Sequence, residues 1–154
     1  MDSIDKSLLA RLQKDVSPSI ETIADAVHLS RNACWRRIKQ LEESGVIQAK
    51  VALLDPAKIG LHLDAFISIS TSTHDPNWLA AFSKAIQDIP EIIGAYRTTG
   101  STDYLLHAVL PDIAGYDRLY KKLISRIALN DVSASFVMEK MKETNVLPLT
   151  YAGP

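Results

Sequence analysis

The chain has 154 residues, 47% of them apolar and 23% charged, with 17 basic against 18 acidic side chains and a formal net charge of −1. That length suggests one domain with a core of useful size. The near-neutral balance excludes a binder that grips nucleic acid by bulk positive charge, but not a reader that gathers its positive charge on one element.

At the N-terminus, Asp2 and Asp5 stand where a signal peptide needs basic residues. No apolar run approaches the ~20 residues of a spanning helix. The expectation is a protein of a reducing, prokaryotic cytoplasm. Apolar residues then recur at helical spacing in three stripes: Ile4, Leu8, Leu9 and Leu12; Ile20, Ile23, Ala24 and Val27; Cys34, Ile38 and Leu41. Ser17-Pro18-Ser19 separates the first two helices, and the tight His28-Leu29-Ser30 separates the last two. Ser30 suits an N-cap and Gly45 a C-terminal stop. Val46 to Leu54 alternates loosely and predicts one or two strand segments, and Asp55 to Gly60 interrupts with Pro and Gly as a hinge.

From Leu61 the order is strand, helix, strand, strand, helix, strand. Leu63, Ala65, Ile67 and Ile69 mark the first strand. Asp75 and Pro76 open a helix carrying Leu79, Phe82, Ala85 and Ile86. Ile92 to Thr99 and Asp103 to Leu110 form a hairpin around Gly100-Ser101-Thr102. Asp112 opens the second helix, and Val132 to Met141 is the last strand. The prediction is an α+β chain. Residues 1–54 form a winged helix-turn-helix of three helices, 55–60 the hinge, and 61–154 a ferredoxin-like βαββαβ domain with helices on one sheet face.

Two short helices joined by a tight turn point to DNA, because the second helix has two unlike faces. Cys34, Ile38 and Leu41 face the core, while Arg31, Asn32, Trp35, Arg36 and Lys39 face outward. Between Arg31 and Leu41 there are four positive charges and no acidic one. A helix entering the major groove needs this face. Arg pairs bidentately with guanine and Asn with adenine, while Ser30 and the helix N-terminus suit a phosphate. The competing reading is a solvated basic helix face, with Trp35 at the edge of the core.

The chain also resembles the Lrp/AsnC family of prokaryotic transcriptional regulators along essentially its whole length. The stretches that carry the resemblance include Leu12-Gln13-Lys14-Asp15, Cys34 to Glu42, Gly45-Val46-Ile47, Leu54-Asp55-Pro56, Gly100 to Leu106, and Val146-Leu147-Pro148-Leu149. The resemblance implies an N-terminal DNA-binding domain and a C-terminal domain that senses amino acids and oligomerises. It implies a homodimer, with further assembly to a tetramer or octamer, acting on double-stranded DNA and away from membranes.

The resemblance also reassigns the Thr98 to Tyr104 turn. Read alone it is a hairpin. In the family an amino-acid effector lies beside it, at contacts between sensor domains. The implied effector residues are Arg97, Thr98, Gly100, Thr102 and Asp103, with Ser135 and Phe136 from the last strand. An amino acid needs donors for its carboxylate and an acceptor for its ammonium group, which hydroxyls and Asp103 supply. Lys50 to Pro56, with Cys34-Trp35, is similar to the cysteine-responsive branch, which implies cysteine or another small amino acid. Three places depart from the family pattern: Ser101-Thr102, Asn130-Asp131, and His28 at a turn position often held by Gly.

Cys34 is the single cysteine and reads as core packing. His28, His62, His74 and His107 lack ligand spacing, so no metal and no cofactor are expected. No nucleophile or phosphate-loop pattern occurs, so an enzyme is not expected. The rival to a regulator is an amino-acid-binding regulatory module of a metabolic enzyme, without DNA binding.

Overall fold

The computed structural model describes residues 1–72 and 75–153. They fall into two compact units, Met1–Leu53 together with Met141–Pro154, and Leu54–Lys140.

In the first unit, α1 (Ser3–Leu12), α2 (Ile20–Ala26) and α3 (Arg31–Glu43) each begin on the side chain of a capping residue: Asp2, Ser19 and Ser30. Such caps satisfy backbone N–H groups that the helix leaves unpaired. The three apolar stripes meet in one core of Leu8, Leu12, Ile23, Ala24, Cys34 and Ile38. Between α2 and α3 the chain turns through His28 at φ 56°. The turn closes with Leu29 N–H donating to the Ala24 carbonyl at 2.9 Å. At the far end of α3, Gly45 adopts φ 75°, the left-handed conformation that a helix stop favours.

Two expectations for this unit change. Val46 to Leu54 forms no strand ladder among the described residues, so the unit is a three-helix helix-turn-helix without a paired wing. Its β-branched sequence favours a strand, but a ladder needs a partner and none is paired with it among the described residues. Val51 and Leu53 stand 69% and 72% exposed. The tail is the second change. Residues 141–154, expected within the C-terminal domain, pack with the first unit. The Gln13 side-chain amide donates to the Leu147 carbonyl at 3.0 Å and accepts from the Leu147 N–H at 2.9 Å, as a neighbouring strand would. Leu147, Pro148 and Leu149 line a groove of about 600 Å³ with Leu9, Leu12 and Val16.

The second unit is the predicted ferredoxin-like βαββαβ: β1 (Leu63–Ser70), α4 (Pro76–Gln87), β2 (Ile92–Arg97), β3 (Tyr104–Leu110), α5 (Ile113–Ile124) and β4 (Asp131–Phe136). The sheet is antiparallel with order β2-β3-β1-β4. Alternation sends Ala65, Ile67, Ile69, Leu106, Ala108 and Leu110 to one face, under Phe82, Ala85, Leu119 and Leu123 of the helices. Each fully buried Leu or Ile there contributes about 1.5–3 kcal/mol of transfer free energy. The opposite face carries Phe66 stacked on His107 with ring centroids 4.7 Å apart.

β4 ends at Phe136 rather than Met141. Its partner β1 begins at Leu63, and one bond continues past the paired stretch, from the Val137 N–H to the Asp64 carbonyl at 2.9 Å. The expected hinge holds a short 3₁₀ turn, Ala57–Ile59, closed by Gly60 at φ 82°.

Candidate functional site

Helix α3 presents its two faces as expected. Cys34, Ile38 and Leu41 are buried, while Arg31, Asn32, Trp35, Arg36 and Lys39 are exposed. Burial raises the Cys34 thiol pKa, so it packs as a protonated, apolar group. Ser30 Oγ accepts from the Ala33 N–H at 3.3 Å, which leaves the other first-turn N–H groups directed out of the helix end. Trp35 is 58% exposed, too open for a core residue. Arg31 meets Glu21 at 3.9 Å with both side chains mostly in solvent, a loose pair. Arg36 and Lys39 have no salt-bridge partner among the described residues. Glu42, at the end of the helix, is hydrogen-bonded by Lys50 at 2.6 Å, which lowers its pKa.

One charge of the basic run does not face outward. Arg37 turns to α1 and meets Asp2 and Asp5 at 2.7 and 2.8 Å. The outward cations are therefore Arg31, Arg36 and Lys39.

The β2–β3 turn is stitched to the end of β1. Gly100 has φ 108° with open space where a Cβ would stand. The Thr98 hydroxyl donates to the Thr102 carbonyl, and the Ser70 hydroxyl to the Ser101 carbonyl at 3.2 Å. The Asp103 N–H donates to the Ile69 carbonyl at 3.1 Å, and its Oδ2 accepts from the Thr71 N–H at 2.8 Å. Asp103 thus commits one carboxylate oxygen to the fold. Thr71, absent from the sequence expectations, is the partner that fixes it. Beneath the turn, Trp78 stacks on Phe82 at 5.0 Å and leans on Tyr104 at 5.7 Å.

The predicted effector residues split into two groups. Arg97 shares a cross-strand row with Tyr104, Ile69 and Val132; Phe136 shares one with Ala65, Ala108 and Ile92. These rows are about 13 Å apart along the strands, and β2 and β4 are opposite edges about 14 Å apart, which puts the two corners roughly 20 Å from each other. Arg97, Thr98, Gly100, Thr102 and Asp103 lie at one corner; Ser135 and Phe136 lie at the other. Phe136 takes the helix-covered face, edge-on to Tyr116 at 5.2 Å. Ser135 points to the opposite face, in register with Phe66. Among the described residues no group of three or more His, Cys, Asp or Glu could hold a metal, and no helix is long and apolar enough to cross a membrane. His74 lies outside the described residues.

A helix-turn-helix with a cationic outward face, followed by a ferredoxin-like unit, defines a DNA-binding transcriptional regulator with a ligand-binding domain. The AsnC-type helix-turn-helix domain matches residues 1–42, and the Lrp/AsnC ligand binding domain matches residues 64–147. The chain belongs to the Lrp/AsnC family. It is 43% identical over 150 residues to the DNA-binding transcriptional activator DecR of Escherichia coli (strain K12), covering 97% of this chain and 99% of that one. It is 46% identical over 149 residues to a glutamate uptake regulatory protein of Zymomonas mobilis, covering 97% and 91%. A transcriptional regulator from Neisseria meningitidis, solved as its L-Met complex, superposes with a TM-score of 0.93 at 32% identity, covering 97% of each chain.

Proposed function

We propose that the protein reads operator DNA with α3 and adjusts that binding to one small amino acid held by the ferredoxin-like unit. The observation that carries the DNA reading is the solvent-facing set Arg31, Asn32, Trp35, Arg36 and Lys39 on a Ser30-capped helix. The outward cations Arg31, Arg36 and Lys39 meet backbone phosphate, the Asn32 carboxamide reads a base edge, and the capped N-terminus with Ser30 takes a further phosphate. One such helix contacts few bases, so a homodimer presenting it twice is the working unit, and two half-sites roughly add their free energies.

The effector site in this reading is shared between chains. Its support is the spread of Arg97, Thr98, Gly100, Thr102 and Asp103 from Ser135 and Phe136 across the sheet. An amino acid cannot bridge ~20 Å, so the turn of one chain and the β4 end of another would meet around it. Such a site links effector to assembly, as a dimer that builds to a tetramer or octamer in the cytoplasm. Cysteine is the first candidate effector, given the likeness of Lys50 to Pro56 and Cys34-Trp35 to the cysteine-responsive branch. Methionine is the second candidate, from the L-Met complex of the Neisseria meningitidis regulator, and glutamate is tested beside it because the Zymomonas mobilis relative regulates glutamate uptake. Calorimetric titration of the three decides among them, and no heat with cysteine removes it. Gel shifts at two salt concentrations test the DNA reading: binding that does not weaken with salt would overturn it.

A further inference from the structure

Arg37 sits in the basic run of α3 yet is absorbed by a closed network at the start of α1. Asp2 and Asp5 form a reciprocal cap: the Asp5 N–H donates to Asp2 Oδ1 at 2.8 Å and the Asp2 N–H to Asp5 Oδ2 at 3.1 Å. Each carboxylate has one oxygen left, and Arg37 Nη1 donates to both of them, at 2.7 Å to Asp2 Oδ2 and 2.8 Å to Asp5 Oδ1. All four carboxylate oxygens are thereby used. The side chains of Arg37 and Asp5 are only 29% and 18% exposed. The network holds the Asp2 carboxyl below its ordinary range, first through the Asp5 N–H and then through Arg37, and holds the Arg37 guanidinium above its own. Arg37 also lies three residues after Cys34 and four before Leu41, beside the buried stripe and away from Asn32, Arg36 and Lys39.

We propose that Arg37 is a positioning residue for DNA binding: it locks the recognition helix to the capped end of α1 and makes no contact with DNA. This rests on the reading that α3 meets DNA. The two possible roles of Arg37 predict opposite signs for one change. If Arg37 touched phosphate, removing the Asp2 and Asp5 charges would free it, strengthen binding and steepen the salt dependence. If Arg37 positions α3, the same change weakens binding although it deletes two negative charges, and the salt slope stays put, because the slope counts phosphate contacts.

The test uses the full chain and a duplex that the wild-type protein selects from a random pool. Fluorescence anisotropy at several KCl concentrations compares wild type, Asp2→Asn/Asp5→Asn, Arg37→Gln, the combination of all three changes, and Arg36→Ala, all well below each variant's melting temperature. The expected result is a loss of about tenfold for the carboxamide pair and for Arg37→Gln, no further loss on combining them, and unchanged slopes. Asp2→Asn alone, at the half-exposed carboxylate, carries the same sign if the double variant folds poorly. Tighter binding by the carboxamide variants, a shallower slope for Arg37→Gln, or a lowered melting temperature with unchanged affinity would each overturn the proposal. Arg36→Ala separates this from failure of the reading beneath it: if α3 meets DNA its slope becomes shallower, and if affinity and slope both hold, the placement of α3 itself is wrong.

Discussion

The separation of the two effector corners gives a sharp prediction about mixed assemblies. Asp103→Asn removes a charge at the turn but keeps a carbonyl oxygen able to accept from the Thr71 N–H. Phe136→Leu removes the ring at the β4 end while keeping an apolar side chain against Tyr116. Each pure variant is expected to lose effector binding. When the two are co-refolded in equal amounts, a site needs an unaltered turn, present in half the chains, and an unaltered β4 end, also present in half. Random pairing between chains therefore restores about a quarter of the sites, whatever the closed ring size. The register puts the corners roughly 20 Å apart, so one chain cannot supply both halves. Isothermal titration with the amino acid that binds wild type reads the site number directly. A mixture that regains no sites would refute a site shared between these two corners, and so would full binding by either pure variant.

Three further predictions concern DNA binding, pH and the turn. With Arg31, Arg36 and Lys39 each meeting phosphate in a dimer, affinity should fall about 10³-fold between 50 and 200 mM salt; Arg36→Ala should make the slope shallower by roughly 2, one contact per chain, in a gel shift or anisotropy series. Burial pushes the Asp64 carboxyl up, but hydrogen bonds from His107 at 2.7 Å and Lys140 at 3.1 Å outweigh it and hold it below its ordinary range. The unfolded chain lacks these partners, so this contribution is complete above the ordinary carboxylate range and disappears as pH falls through the lower folded value. Thermal melts of Asp64→Asn should accordingly lose that acid-side dependence, and an unchanged profile would remove the assignment. His28 at φ 56° tolerates Gly but not a β-branched side chain, so His28→Gly should hold or raise the melting temperature while His28→Val lowers it.

The parts of this molecule visible in sequence are those whose causes lie a few residues apart. Ser30 caps the helix that starts at Arg31, and the alternation of Ala65, Ile67 and Ile69 names the core face of β1. Helical spacing also separated Cys34, Ile38 and Leu41 from the outward Arg31, Asn32, Trp35, Arg36 and Lys39. What sequence missed depends on distant partners. The Gln13 bond to Leu147 spans 134 positions, and the Asp103 carboxylate is fixed by Thr71, 32 positions away. Strand propensity in Val46 to Leu54 predicted a ladder, but propensity cannot supply a partner. For Arg37 a signal was present: its place beside the buried stripe, and two carboxylates at capping-box spacing that lacked a cation of their own.

The tail held by Gln13 has a consequence for the order in which the protein is made. The unit that reads DNA is begun by the first 53 residues and finished by residues from Met141 onward, so the sensing unit is inserted within it. On the ribosome α1, α2 and α3 emerge early, yet the apolar groove lined by Leu9, Leu12 and Val16 lacks its other wall until Leu147 and Leu149 have been synthesised. Residues from Met141 onward thus complete a unit that residues 1–53 begin, and the sensing unit is fastened to the DNA-reading unit by two covalent crossings rather than one.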